Sequence, residues 1–240
     1  MRTGDIVLET RALSMHFGGV RAVDRVDFTL CERELRCLIG PNGAGKSTFF
    51  KCLTGQLRPS AGDIVIREVH VAGLEPHEIA ALGVGIKTQV PSVFDGLTVE
   101  ENIGLSARRW HGPARARSLT EETIARIDLG RIRTRVVGQL AHGERQWVEL
   151  GIVAAAEPWL VLLDEPTAGM THEETERTAE LIRAINENAA LIVVEHDMRF
   201  VRMISETVTL FHEGRILMED TMEAIAADPR AREVYLGHRA

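Results

Sequence analysis

The amino-acid sequence predicts an α/β fold whose alternation is interrupted by a helical insert. Three observations carry that prediction. Short β-rich apolar runs recur at 34–40, 84–89, 160–165 and 191–196, with helical patterns between several of them. A glycine-rich stretch, Gly40 to Ser47, joins the first of these runs to a helical pattern. From about residue 97 to residue 156 the apolar spacing turns almost wholly helical.

The elements follow in order. Residues 1–40 read as strands, because DIVLETRAL, RVDFTL and ELRCLIG are β-rich runs separated by polar or glycine breaks. GKSTFFKCLTG predicts a helix ending at Gly55, followed by a turn at RPSAGD and a strand at IVIREV. PHEIAALG fits a short helix with proline at its start and glycine after its end, and VGIKTQ is the next strand. Thr98 and Glu101 form a capping box that opens TVEENIGLSARR; SLTEETIARIDL and GERQWVELGIVAAA continue the helical character. LVLLDE returns to strand, THEETERTAELIRAINEN to helix with a Thr171 and Glu174 box, and LIVVEH to strand. TVTLFHEGRILMED predicts a hairpin turning at Glu213 and Gly214, and two short helical pieces finish the chain. No repeat and no low-complexity linker divides it.

Composition narrows the class. With 240 residues, 45% apolar and 26% charged, the chain is long enough for a buried core and ordinary in make-up. A formal net charge of −7 argues against a general nucleic-acid binder, whose footprint is usually basic. Cys31, Cys37 and Cys52 form no CxxC pair and read as reduced, small buried residues of a cytosolic chain. The nine histidines show no metal spacing. The start, MRTGDIVLETRAL, lacks the apolar core of a signal peptide. No apolar run approaches the roughly 20 residues that span a bilayer. If the protein works at a membrane, another chain must hold it there. Arg108, Arg109, Arg115 and Arg117 stand out in an acidic protein; they read either as a solvated helix face and loop or as a contact for anionic headgroups or a partner.

GxxxxGKS at Gly40–Ser47, after a strand pattern and before a helix, has the context of a P-loop. Its backbone N–H groups would cradle phosphate oxygens, Lys46 would reach the terminal phosphates, and the Ser47 hydroxyl would ligate Mg²⁺. Asp164 ends the apolar run Leu160 to Leu163, at the sheet edge where ligands of parallel sheets bind, and can hold Mg²⁺ through water. Glu165, the next residue, is placed to polarise an attacking water. His196 also ends an apolar strand; it reads as structural when taken alone, and as a holder of γ-phosphate and water beside such a site. Gln89 has the same geometry and could touch metal or water.

GPNGAGKST, then Gln89, LAHGE, LVLLDE and His196, in that order, resemble the nucleotide-binding subunit of ABC transporters over essentially the whole chain. Finer wording (GGVRAV, VPSVFDGLTVEENI, AGMTHEETERTAEL, VVEHDM, VYLG) is similar to ATPases serving high-affinity branched-chain amino acid and urea importers. HGERQWVELG and AGMT lean toward the urea branch.

The resemblance implies a single ABC ATPase domain over 1–240: a P-loop NTPase core with an N-terminal antiparallel β subdomain and an inserted α-helical subdomain at 97–156. It implies ATP and Mg²⁺, with Gly40, Pro41, Asn42, Gly43, Ala44, Gly45, Lys46, Ser47 and Thr48 around the phosphates. Glu165, His196, Gln89 and Lys46 carry hydrolysis, and Ser47, Gln89 and Asp164 serve the metal. Phe17 stands where the family stacks an aromatic on adenine, or is an ordinary core phenylalanine. Two subunits, a second copy or a sister ATPase, would stack head to tail. The signature segment Ala141, His142, Gly143 and Glu144 of one would then meet the phosphates held by the other. Val90 to Phe94 would face transmembrane permease subunits at the cytoplasmic face of the membrane. A periplasmic or extracytoplasmic solute-binding protein would complete the importer.

The chain departs from the family where the usual signature is LSGGQ, since Ala141 has no hydroxyl to offer, and where Thr171 replaces an aspartate. Those changes open a rival reading, a regulatory nucleotide-binding partner with little turnover. Glu165 and His196 both being present argues against it. Lipopolysaccharide export is the nearest alternative transport role. A GTPase would want NKxD, and no asparagine here precedes a lysine.

Overall fold

The computed structural model describes residues 4–89 and 92–236. Two sheets organise it. β1 (Ile6–Phe17) and β2 (Val20–Cys31) form a long hairpin, joined by β4 (Ala61–Ile66) and β5 (Val69–His70) in an antiparallel sheet of order β2-β1-β4-β5. The second sheet runs β10-β9-β3-β8-β7-β6. Its members are β3 (Leu35–Ile39), β6 (Val84–Lys87), β7 (Leu160–Asp164), β8 (Ala190–Val194), β9 (Thr207–His212) and β10 (Arg215–Asp220). All its pairings are parallel except β9 with β10, which close a hairpin. That hairpin turns at Glu213 and Gly214, both at positive φ (48° and 76°), the two-residue turn whose twist matches the strands.

Alternation along the central strands sorts the core. Val161 and Leu163 of β7 and Leu191 and Val193 of β8 pack with the helices of one face; Leu160, Leu162, Ile192 and Val194 pack toward Phe49, Phe28 and the antiparallel sheet. Both faces being covered explains why these strands read as unbroken apolar runs. Cys31, Cys37 and Cys52 are buried and reduced. Burial pushes the Cys37 thiol up to about 12 and the Cys52 thiol to about 11.

The helices are α1 (Lys46–Leu53), α2 (Pro76–Ala81), α3 (Val99–Trp110), α4 (Pro113–Arg126), α5 (His142–Ala154), α6 (His172–Asn186), α7 (Met198–Ile204), α8 (Met222–Ala227) and α9 (Pro229–Leu236). The capping boxes at Thr98 and Thr171 are formed, each threonine accepting from the backbone N–H three residues on. Two differences from the sequence reading stand out. α4 begins at Pro113, so the arginine-rich stretch is mostly helix, and Arg115 pairs with Glu122 and Glu157. α7 was not foreseen; Asp197 caps it by accepting from Arg199 and Phe200. Among the described residues no helix is long and apolar enough to cross a membrane.

The inserted helices are fastened to the core through α5. Trp147 donates its indole N–H to Thr178 Oγ1 of α6 at 3.0 Å, with the Arg177 guanidinium 4.1 Å from the ring centroid. Deeper, Lys87 at the end of β6 pairs with Glu149 of α5 at 3.2 Å, both side chains buried. Another buried cation, Arg36 of β3, bonds Thr209 and is paired with Glu34 and Glu219.

Candidate functional site

Four neighbouring parallel strands, β3, β8, β7 and β6, end on one edge of the sheet. That is where an open α/β sheet leaves a crevice. Asp164 ends β7 and Glu165 follows it, His196 and Gln89 each lie two residues beyond a strand end, and Lys46 follows the loop after β3.

β3 runs into Gly40 and the loop to Lys46. Gly45 has φ +103°, and a Cβ on it would lie 2.4 Å from the carbonyl oxygen of Ala22, so only glycine fits. The loop is pinned from outside by Gly214 N–H donating to Ala44 O (2.9 Å) and Asp24 N–H donating to Gly214 O (2.8 Å). Lys46 is buried and donates to the carbonyls of Gly40 (2.6 Å) and Pro41 (3.0 Å). Burial lowers its pKa, opposed by the Glu165 and Asp164 carboxylates. Asn42, Gly43 and Ser47 are exposed, Pro41, Gly45 and Thr48 half-buried, and Gly40 and Ala44 buried; nothing lies within 4 Å of where a Gly43 Cβ would sit.

Side-chain oxygens of Thr98, Thr171, Asp197 and Thr221 cap α3, α6, α7 and α8. α1, α4 and α5 receive no such acceptor, and of these α4 opens on Pro113 away from the strand ends, leaving α1 and α5 at the site. Their first-turn N–H groups are therefore left for something else, and anions are what such ends bind.

Asp164 closes β7 and is buried. Its carboxyl is pushed up to about 6, first by desolvation and then by Glu165, against the pull of Lys51 and Lys87. Its Oδ1 has no hydrogen-bond partner among the described residues. Glu165 follows with φ 47°, a strained backbone for this residue type, held by its N–H donating to Val194 O (3.0 Å). One carboxylate oxygen of Glu165 lies 3.6 Å from His196 Nδ1. His196 itself is exposed.

Sequence reasoning missed Glu195. Its carboxylate is wholly buried and accepts from Thr167 N–H (3.2 Å), Thr167 Oγ1 (2.6 Å), His196 N–H (3.0 Å) and Asp197 N–H (3.4 Å). It thus locks the loop after Glu165 to the loop carrying His196. The signal was a charge closing an apolar strand run.

Gln89 lies two residues beyond the end of β6 and is exposed, rather than ending the strand. The ladder with β7 stops at Lys87, opposite Leu163, and Lys87 turns inward to Glu149. Of the segment from Val90 to Phe94, Val90 and Pro91 lie outside the described residues; Phe94 is 62% exposed. Phe17 ends β1 on the hairpin that touches Gly45 through Ala22, and is 48% exposed. It is no core residue.

At the start of α5, Ala141 and His142 are exposed and Gly143 is buried. Ala141 lacks an acceptor; its N–H donates to Glu144 Oε2 (3.0 Å), which is half a capping box. A Cβ on Gly143 would lie 2.2 Å from Glu174 Oε1, so the glycine allows α5 to rest on α6.

These groups fit a nucleoside triphosphate with a hard cation. An orphaned buried carboxylate oxygen, an exposed hydroxyl on Ser47 and uncapped helix starts are the donors and acceptors such a pair needs. Among the described residues no group of three His, Cys, Asp or Glu side chains is placed to hold a metal ion by itself. The cation would rest on few protein atoms plus water and substrate oxygens, as Mg²⁺ does.

A largely parallel sheet with a glycine loop after a central strand and an acidic end on the next strand but one defines a P-loop NTPase. Residues 23–168 match the family described as ABC transporter, and the chain belongs to that family: it is an ABC ATPase. It is 36% identical over 249 aligned positions to the high-affinity branched-chain amino acid transport ATP-binding protein LivG of Salmonella typhimurium, covering 96% of this chain and 98% of that one. It is 32% identical to BraF, of the same description, from Pseudomonas aeruginosa, with the same coverage. The lipopolysaccharide export ATP-binding protein LptB of Haemophilus influenzae is 31% identical over 97% of this chain and 98% of its own length. In fold it is similar to MJ1267 in its ADP conformation, an ATP-binding cassette of an ABC transporter (TM-score 0.86, 22% identity, 98% and 100% of the two chains). It is also similar to dimeric MJ0796 bound to ADP and Pi (TM-score 0.78, 22% identity, 90% and 98%).

Proposed function

We propose that this chain hydrolyses ATP to energise uptake of a small solute, urea or a branched-chain amino acid foremost, through a separate permease. The observation that carries the reading is the convergence of the Lys46 loop, Asp164, Glu165 and His196 on adjacent strand ends. Greater identity to LivG than to LptB favours import over lipopolysaccharide export, and the wording around Gly143 and Gly169 favours the urea branch.

In this reading the loop amides and Lys46 bind the β- and γ-phosphates, and Phe17 stacks on adenine. Ser47, Asp164 and Gln89 would hold Mg²⁺, whose charge would offset that of the phosphates. Glu165 takes a proton from the attacking water, and His196 holds the water and the departing phosphate. Lys46 must leave the carbonyls of Gly40 and Pro41 to do this, and its exchange of two neutral acceptors for a polyanion favours the move.

Head-to-tail dimerisation with a second copy or a sister ATPase brings the N-terminus of α5 onto the partner's γ-phosphate. With Ala141 in place of a hydroxyl, backbone N–H groups carry that contact. ATP favours the closed dimer and hydrolysis releases it, so closure drives the permease. The subunit sits at the cytoplasmic face of the membrane through the permease, with a solute-binding protein beyond it. A purely regulatory role is disfavoured by Glu165 and His196 standing 3.6 Å apart. The test is ATP turnover with Mg²⁺ and solute uptake in the reconstituted complex. Glu165→Gln should lower turnover by about 10²–10⁴-fold; turnover indifferent to that change would remove the general base.

A further inference from the structure

His142 begins α5, beside the glycine that lets the helix rest on α6. Its ring Nε2 lies 2.9 Å from the carbonyl oxygen of Ala168. A carbonyl oxygen only accepts, so Nε2 carries the hydrogen, in the neutral ring and in the imidazolium alike. Ala168 belongs to the turn that leaves Glu165: Ala168 N–H donates to Glu165 O (3.3 Å) and Met170 N–H to Thr167 O (3.1 Å). Glu195 grips the same turn at Thr167.

The fit is close at the ring and at the residue after it. Gly169, at φ +74°, would place a Cβ 3.3 Å from His142 Nε2. One residue along, Gly143 abuts Glu174, whose carboxylate is fastened by the N–H of Thr171 at 2.8 Å. The helix start and the loop 166–171 are thus joined by one hydrogen bond and one close packing contact.

We infer that His142 is a positioning residue, tying the N-terminus of α5 to the turn behind Glu165 so that the two move together. The inference rests on the head-to-tail reading, in which the start of α5 serves the partner's nucleotide while Glu165 serves its own. Each chain then links the two sites through this imidazole, beside the packing of Gly143 on Glu174. A ring aimed instead at the partner's phosphate would leave its own chain's turn indifferent to its loss.

The test uses the full chain with His142→Ala and His142→Gln. Hydrogen–deuterium exchange in the isolated, nucleotide-free protein reads the tether directly. His142→Ala should speed exchange of the Ala168–Met170 amides by about five- to tenfold and leave residues 40–48 unchanged. His142→Gln, which keeps a donor, should recover most of that protection. With Mg-ATP, His142→Ala should lower kcat about fivefold with KM for ATP within about twofold, and His142→Gln should restore part of it. Unchanged exchange in the Ala168–Met170 segment, or loosening spread equally over the P-loop, would overturn the inference. A wild-type chain that binds no ATP would instead defeat the proposed function, with the exchange result still judging the tether.

Discussion

Replacing Glu195 with glutamine keeps the shape of the side chain and changes what it can accept. The native carboxylate takes four donors, two on each oxygen. The amide offers one oxygen and turns an NH₂ group toward the other pair; toward Thr167 it can donate to the hydroxyl, so the bond from the Thr167 N–H is lost outright and the other three lose their charge assistance. At about 1.5–3 kcal/mol for a hydrogen bond to a charged group, roughly halved when the group is neutral, the one bond lost and the three weakened come together to about 3–6 kcal/mol. Relief from burying a charge offsets part of this, leaving a net destabilisation of about 2–3 kcal/mol. For a chain of this size that lowers the unfolding midpoint by about 4–12 °C. Thermal unfolding without nucleotide measures it, and ATP turnover below the new midpoint reads what remains of His196's placement, expected to fall with it. An unfolding midpoint within about 2 °C of the native one, with turnover intact, would mean the carboxylate does not brace the two loops.

Two other perturbations follow from buried charge. Asp164 binds its proton more tightly folded (about 6) than at its ordinary value of 3.8, so its contribution to stability falls as pH rises through that window. Asp164→Asn should flatten that slope, making the Mg²⁺-free protein more stable near neutral pH by about 1–3 kcal/mol while hydrolysis collapses; urea midpoints across the window check it, and parallel slopes for the two proteins would refute it. Lys87→Met should cost about 3–5 kcal/mol by stranding Glu149, whereas Lys87→Met with Glu149→Leu should recover most of that loss, as a double-mutant cycle on unfolding would show.

What the sequence made legible was local. The runs through Leu163 and Val194 could be read because strands covered on both faces are apolar throughout, so the first polar residues after them, Asp164 and Glu195, mark the sheet edge. Thr98 and Thr171 announced their helices because a cap and its partner sit three residues apart. What escaped was set by distant partners. Glu195 looks like a polite strand end until Thr167, far back in the chain, is folded against it. Lys87 belongs to Glu149, and Arg36, in the middle of ELRCLI, to Thr209 and Glu219; no spacing rule reaches across such gaps. α7 escaped for another reason: it follows His196 at once, and seven residues carry little periodicity.

The three cysteines have a practical side. A thiol whose proton leaves only near pH 12 or 11 is thiolate in about one molecule in 10⁴–10⁵ at neutrality, and it is the thiolate that alkylating reagents meet. Cys37 and Cys52 are doubly shielded, by chemistry and by the core around them, and Cys31 by burial. A spectroscopic label hung on a cysteine introduced at the surface would therefore report alone while the chain stays folded. When the native thiols begin to react as well, the fold has opened.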